Sequence, residues 1–173
     1  MKKYWLFGCL VVCFSSVDAA PISFNFTQAG FLEGASVTGI FTGDDLDNNG
    51  QLSSFAGEVS GFVMSFSGNS SVPSFSLGLS DLFGLVYDLD GGPLGDGVTL
   101  HIEGISAFSA SHSYTTGQGG TGGIDGGWVD DFTGPNTTSE LVQVSGVPVP
   151  SALLLFGSGL LGLLGMARGK KSA

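Results

Sequence analysis

The sequence predicts an all-β chain: an antiparallel β-sandwich, jelly-roll-like, flanked by an N-terminal signal peptide and a single C-terminal transmembrane helix. Three observations carry the sandwich. Apolar residues alternate with polar ones in short runs, as on strands with one buried face. The runs begin with Ile22, Phe24 and Phe26 and continue at 37–41, 59–66, 75–79, 85–89, 98–102, 105–108, 128–132 and 141–144. Turn signals lie between them: Asn49-Gly50, Gly68-Asn69, Asp90-Gly91-Gly92-Pro93 and Asp96-Gly97. No long stretch between them carries the 3.6-residue period of a helix. With 14 phenylalanines the chain has aromatic mass for a core, and its 30 glycines suit many tight turns. The glycine-rich stretch GQGGTGGIDGG, 117–127, reads as a long mobile loop.

Residues 1–19 open with Lys2 and Lys3, run through an apolar segment from Tyr4 to Phe14 and end in small residues. This is the pattern of a secretory signal peptide, and Val17-Asp18-Ala19 places cleavage after Ala19. The only cysteines, Cys9 and Cys13, fall inside it. The exported chain would hold no disulfide, thiol nucleophile or cysteine zinc site.

Charge divides the chain sharply. All five cations lie at the ends, as Lys2, Lys3, Arg168, Lys170 and Lys171. Apart from Asp18, all of the 15 acids lie in the domain 20–146, which has no Lys or Arg and a formal charge of −14. Such a surface repels phosphate backbones, so nucleic acid is not an expected partner, whereas cations are attracted.

The C-terminus has three parts in order. First comes Val147-Pro148-Val149-Pro150 followed by Ser151-Ala152. Next is an apolar segment of about 150–167 containing LFGSGLLGLLG. Arg168, Lys170 and Lys171 close the chain. The apolar segment approaches the roughly 20 residues that cross a bilayer as a helix. The prolines favour an extended, accessible entrance to it, and the cations would stop transfer and remain cytoplasmic. This three-part order resembles the PEP-CTERM sorting signal over 147–173. The resemblance implies a Gram-negative bacterium, export through the Sec translocon and transient residence in the inner membrane. It also implies processing by an exosortase near the Pro-x-Pro motif and delivery to the cell surface or extracellular matrix. Where the usual motif has Glu, this chain has Val149, as in the VPLPA-type variant associated with a distinct exosortase.

In the central domain, Asp45-Leu46-Asp47-Asn48-Asn49-Gly50-Gln51-Leu52 resembles the first half of an EF-hand-type calcium loop. Hard oxygens recur at alternate positions and a glycine permits the sharp turn. The twelfth position is Ala56 instead of the bidentate Glu, and Glu58 comes two residues later. The candidate calcium ligands are Asp45, Asp47, Asn49, Gln51 and Glu58, against the alternative of a solvated Asp/Asn-rich turn. Asp88, Asp90 and Asp96 form a second acidic loop with the same two readings. His101 and His112 are the only histidines, and there is no Gly-x-Ser-x-Gly elbow, so no catalytic residues are assigned. The expectation is an exported non-catalytic protein with a structural or adhesive role, with exopolysaccharide among its possible partners. The alternatives are a calcium- or carbohydrate-binding extracellular module and, last, an extracellular hydrolase. Exposed aromatics beside the calcium-like loop would favour the binding module.

Overall fold

A computed structural model describes residues 21–95, 103–117 and 124–147. Within them eleven strands form two antiparallel sheets. One has five strands in the order β11-β1-β2-β4-β5: β1 is Ile22–Gln28, β2 Val37–Gly43, β4 Val59–Phe66, β5 Phe75–Gly78 and β11 Gln143–Gly146. The other has six in the order β10-β9-β8-β7-β6-β3: β3 is Gln51–Ser53, β6 Leu82–Asp88, β7 Gly104–Phe108, β8 Ser113–Gly117, β9 Ile124–Asp130 and β10 Asn136–Thr138. Among the described residues no helix is long and apolar enough to cross a membrane. The signal cleavage at Ala19, the run 98–102, the histidine His101 and everything from Pro148 onward lie outside the described residues. That last group includes Val149, Pro150, the 150–167 segment, Arg168, Lys170 and Lys171.

The alternation in the sequence is the alternation of the sheet faces. Phe24 and Phe26 of β1, Val37 and Phe41 of β2, and Phe62, Met64 and Phe66 of β4 point inward and are buried. From the facing sheet come Leu52, Leu85, Tyr87, Ile105, Ala107, Tyr114 and Val129, all in one apolar cluster with the first set. Tyr87 lies edge-on to both Phe24 and Phe41, with ring centroids 5.2 and 5.5 Å away. Such edge-to-face pairs fix ring orientation as well as burying area. Leu94 and Val142, fully buried and bridged by Leu94 N–H to the Val142 carbonyl at 2.9 Å, help close the core from the connecting segments.

Two departures from expectation concern connection. β6 to β10 run as an uninterrupted meander within one sheet, and β11 returns to pair with β1. A jelly roll would pass successive strands between the sheets, so the sandwich is present without the jelly-roll-like winding. The links β7–β8, β8–β9 and β9–β10 are only four to six residues long, and short links favour pairing of sequence neighbours. The second departure is the glycine-rich stretch. Gly117 ends β8, and 124–127 belong to β9.

Gly127 explains why glycine is needed inside that strand. A Cβ there would fall on the Gln28 side-chain amide. Gln28, fully buried in β1, donates from Nε2 to Thr116 Oγ1 at 3.0 Å and to the Glu140 carbonyl at 2.7 Å. Its Oε1 accepts the Tyr114 hydroxyl at 2.9 Å. Thr116 Oγ1 in turn donates to the Gly126 carbonyl at 2.7 Å. One amide therefore ties β1 to β8 across the core with its polar atoms satisfied, as a buried polar network requires. Gly127→Ala is expected to destabilise the domain by about 1–3 kcal/mol, read from the denaturant midpoint, because a methyl must displace that amide.

Burial pushes the Tyr114 hydroxyl far above the ordinary tyrosine range. Tyr87 is raised by burial and then by the carboxylates of Glu103, Asp90 and Asp88. Raised folded-state values mean that this stability is fully present below the unfolded value, about pH 10, and is lost as pH climbs above it. Tyrosinate absorbance from Tyr114 should thus rise only together with unfolding. Titration of Tyr114 in a domain that retains native circular dichroism would contradict the burial argument.

Candidate metal centre and aromatic face

The segment from Asp44 to Gly50 joins β2 of one sheet to β3 of the other and turns on its own carboxylates. Asp45 accepts the N–H of Asn49 at 3.1 Å and of Gly50 at 2.9 Å. Asp47 accepts the Asn49 N–H and the Asn49 Nδ2, each at 3.1 Å. Asn48 takes a left-handed conformation (φ 58°), which asparagine tolerates, and so does Gly50. Glu58 enters from the start of β4. It is 3% exposed, and its two oxygens accept the N–H of Leu46 at 3.1 Å and of Ser53 at 2.8 Å. One oxygen from each of Asp45, Asp47 and Glu58 lies within 4.8 Å of the others.

Chain spacing alone places Glu58 too late for an EF-hand. A short turn of 3-10 helix over Ser54–Ala56, ended by Gly57 at φ 78°, takes up the extra residues and carries the carboxylate back under the loop. The other two candidate ligands are engaged elsewhere. Asn49 Oδ1 accepts the Gln51 N–H at 2.8 Å, and Gln51 Nε2 donates to Asp88 Oδ1 at 2.8 Å.

Asp88 and Asp90 do not join the Asp45, Asp47 and Glu58 group, and Asp96 lies outside the described residues. The two acidic loops are nevertheless neighbours. Gln51 pairs with Asp88 in the β3–β6 register, and the Leu89 N–H donates to the Gly50 carbonyl at 2.8 Å. A carboxylate that the sequence reading passed over, Glu103, is also buried. It accepts the Asp88 N–H at 2.8 Å and the Gly95 N–H at 3.1 Å, pinning the connection between β6 and β7. Its position just before a glycine-led strand carried no signal.

The second feature is aromatic. Phe55, Phe83 and Phe108 are 60%, 61% and 43% exposed. Phe83 stands edge-on between the other two, with centroid distances of 6.4 Å to Phe55 and 5.9 Å to Phe108. Phe108 follows the buried Ala107 and so points to the outer face of the six-stranded sheet. Phe83 sits at the irregularity between Leu82 and Gly84, where the register slips and an extra side chain is turned out. Along the same row Phe108 pairs with Ser113 and Ser113 with Asp130, and two residues beyond comes Phe132. Phe132 is also 61% exposed and holds φ 65°, an unfavourable backbone for a bulky residue. The Asp130 carboxylate accepts its N–H at 2.7 Å. Phe55 lies between Ser53, which donates to Glu58, and Glu58 itself, so exposed aromatic surface does adjoin the calcium-like loop.

His112 stacks on Phe75 of the opposite sheet at 4.5 Å and 18°, and its Nδ1 is bonded to Ser111 Oγ at 2.9 Å. It serves as a clasp between the sheets. Comparison with protein families, curated proteins and solved structures finds no match.

Glu58→Ala removes the acceptor for two backbone N–H groups beneath the loop. With chelator present it is expected to cost about 2–4 kcal/mol in unfolding free energy, since buried donors left unmet cost about 1–3 kcal/mol each. A loss below the error of the denaturation curve would show that water replaces the carboxylate there.

Proposed function

We propose that this chain is an exported, non-catalytic module of the cell exterior. Its working surface is the phenylalanine cluster on the outer face of the six-stranded sheet. The observation that carries the reading is the trio Phe55, Phe83 and Phe108, large apolar rings held in contact with one another yet left to solvent. A domain gains nothing in folding from leaving such rings outside, and clustered exposed apolar surface marks interaction sites.

The charge of the domain narrows the partner. With 14 carboxylates and no Lys or Arg over 20–146, acidic polymers and acidic membranes are repelled. An uncharged polysaccharide is not. The apolar faces of its sugar rings match a row of phenylalanines, and its hydroxyls match the carboxylate of nearby Asp130. The role is adhesive or structural within an extracellular matrix. The sorting signal resemblance over 147–173 supports delivery to that place by an exosortase.

Two measurements test this. Phe83→Ser should leave the melting midpoint nearly unchanged, because the ring is mostly exposed. It should weaken retention on an uncharged polysaccharide matrix by about tenfold, the equivalent of about 1.4 kcal/mol. Equal retention of the variant and the parent would reject the face as the binding surface. Independently, replacing Pro148 and Pro150 together by alanine should leave the full-length chain in the inner membrane. Unaltered release would reject the sorting part of the reading while leaving the binding part standing.

A further inference from the structure

The acids of this domain avoid one of its two sheets. None of the strands β1, β2, β4, β5 and β11 contains Asp, Glu, Lys or Arg, although 20–146 carries 14 carboxylates. The six-stranded sheet, by contrast, has Asp88 and Asp130 within its strands. Because Phe24, Phe26, Phe41, Phe62 and Met64 point into the core, their neighbours Asn25, Thr38, Ile40, Val63 and Ser65 stand on the outer face. The strand register arranges that face in rows. The central row runs Ser145, Asn25, Ile40, Val63 and Gly78, and beside it lie Gln143, Thr27, Thr38, Ser65 and Ser76.

Two features suit this face to a dry contact. Its centre is apolar: Val63 is 47% exposed, and Ile40 is half-buried opposite it. A hollow of about 370 Å³ lies against these two side chains, lined also by Asn25, Thr38 and Ser65. Around that centre, hydroxyls are bonded to one another, Ser65 Oγ to Ser76 Oγ at 2.6 Å and Ser23 Oγ to Thr42 Oγ1 at 2.8 Å. Hydroxyls that already have partners lose less on leaving water than bare ones do. An apolar centre inside a polar, uncharged ring is the anatomy of a protein interface.

We propose that two copies of this chain pair back to back through the outer face of the five-stranded sheet. Charge selects the occupant. Two strongly acidic domains repel each other wherever carboxylates meet, and across this face the strands bring none together. Asp81, whose carboxylate accepts the Gly78 N–H at 2.9 Å, stands at the β5 edge and marks the rim. The size is sufficient for a weak, specific pair. Five strands about 4.8 Å apart, rising about 3.3 Å per residue, outline roughly 500 Å² on each copy. The two together reach roughly 1,000 Å², where specific interfaces begin. In a two-fold contact the Ile40 and Val63 ridge of each copy would set into the hollow of the other, as side chains interdigitate between packed sheets. The phenylalanine face belongs to the other sheet, so the pair would present two such faces in opposite directions. If that face holds a polysaccharide, the pair cross-links it. The cross-linking rests on the function proposed above; the pairing does not.

The test is sedimentation equilibrium of the full-length chain in detergent, with each variant melted separately to show that it folds. The parent should show a monomer–dimer equilibrium in the micromolar range, tightening severalfold as added salt screens the acids around the face. Val63→Glu, at an exposed position, should keep the melting midpoint of the monomer and weaken pairing at least about tenfold, because it sets like charges against each other. If that variant does not fold, Thr38→Glu, exposed in the neighbouring row, makes the same test. Val63→Glu mixed with Val63→Lys should recover most of the lost association, and Phe83→Ser should pair like the parent. A monomeric parent overturns the proposal. So does association that Val63→Glu leaves intact, which would place the contact elsewhere, as in the apolar segment 150–167. Pairing abolished by Phe83→Ser would move it to the phenylalanine face, and a mixture that recovers nothing would overturn the two-fold arrangement. A monomeric parent whose retention on an uncharged polysaccharide falls with Val63→Glu would give the face to the polymer instead.

Discussion

A domain with fourteen carboxylates and no ammonium or guanidinium side chain must hold its buried acids with uncharged donors, and the backbone N–H groups do most of it. That constraint shapes every connection at the acidic end. Glu58 is gripped by Leu46 and Ser53, Glu103 by Asp88 and Gly95, and Asp45 and Asp47 by the backbone of their own loop. Each bond draws a connecting segment inward onto a carboxylate, so the loops are folded around their acids. Where N–H donors run out, at Asp88 Oδ2, the demand is left unmet.

The apolar seam answers a different requirement. Two sheets with phenylalanine-rich inner faces would slide past one another if only non-directional burial held them. The edge-on packing of Tyr87 against Phe24 and Phe41, the Gln28 bridge to Tyr114 and Thr116, and the His112 stack on Phe75 fix their relative position. The bridge depends on the absence of side chains opposite it. That is why Gly127 sits in β9 even though glycine weakens a strand.

The strands that follow strict alternation of apolar and polar residues were legible in the sequence. Val59–Phe66 is an observed strand over the expected range, and the runs at 37–41 and 105–108 differ from the observed strands only at their ends. β3, β8 and β10 were not legible, since each is short and mostly polar, with at most one large apolar side chain to set an alternation, and their pairing comes from neighbours already in place. β8 reads SYTTG, yet its threonines are buried and one is bonded on both sides. Of the acidic loop, the carboxylates could be read from spacing, but the return of Glu58 could not, because it depends on a short helical turn that the sequence does not advertise. The exposed phenylalanines were read as core material. Their exposure follows from a register slip beside Leu82 and from a turn after Asp130, neither visible in a list of residues.

β1 and β11, the first and last strands, lie side by side, and the N–H of Val147 reaches the Ser23 carbonyl at 2.7 Å. The two ends of the folded unit therefore leave it at almost the same point. A cut on either side would sever no strand and open no core, so the sandwich could be detached from whatever precedes or follows it as a finished object. The phenylalanine face lies on the other sheet from β1 and β11, so such a detachment would leave its backbone untouched.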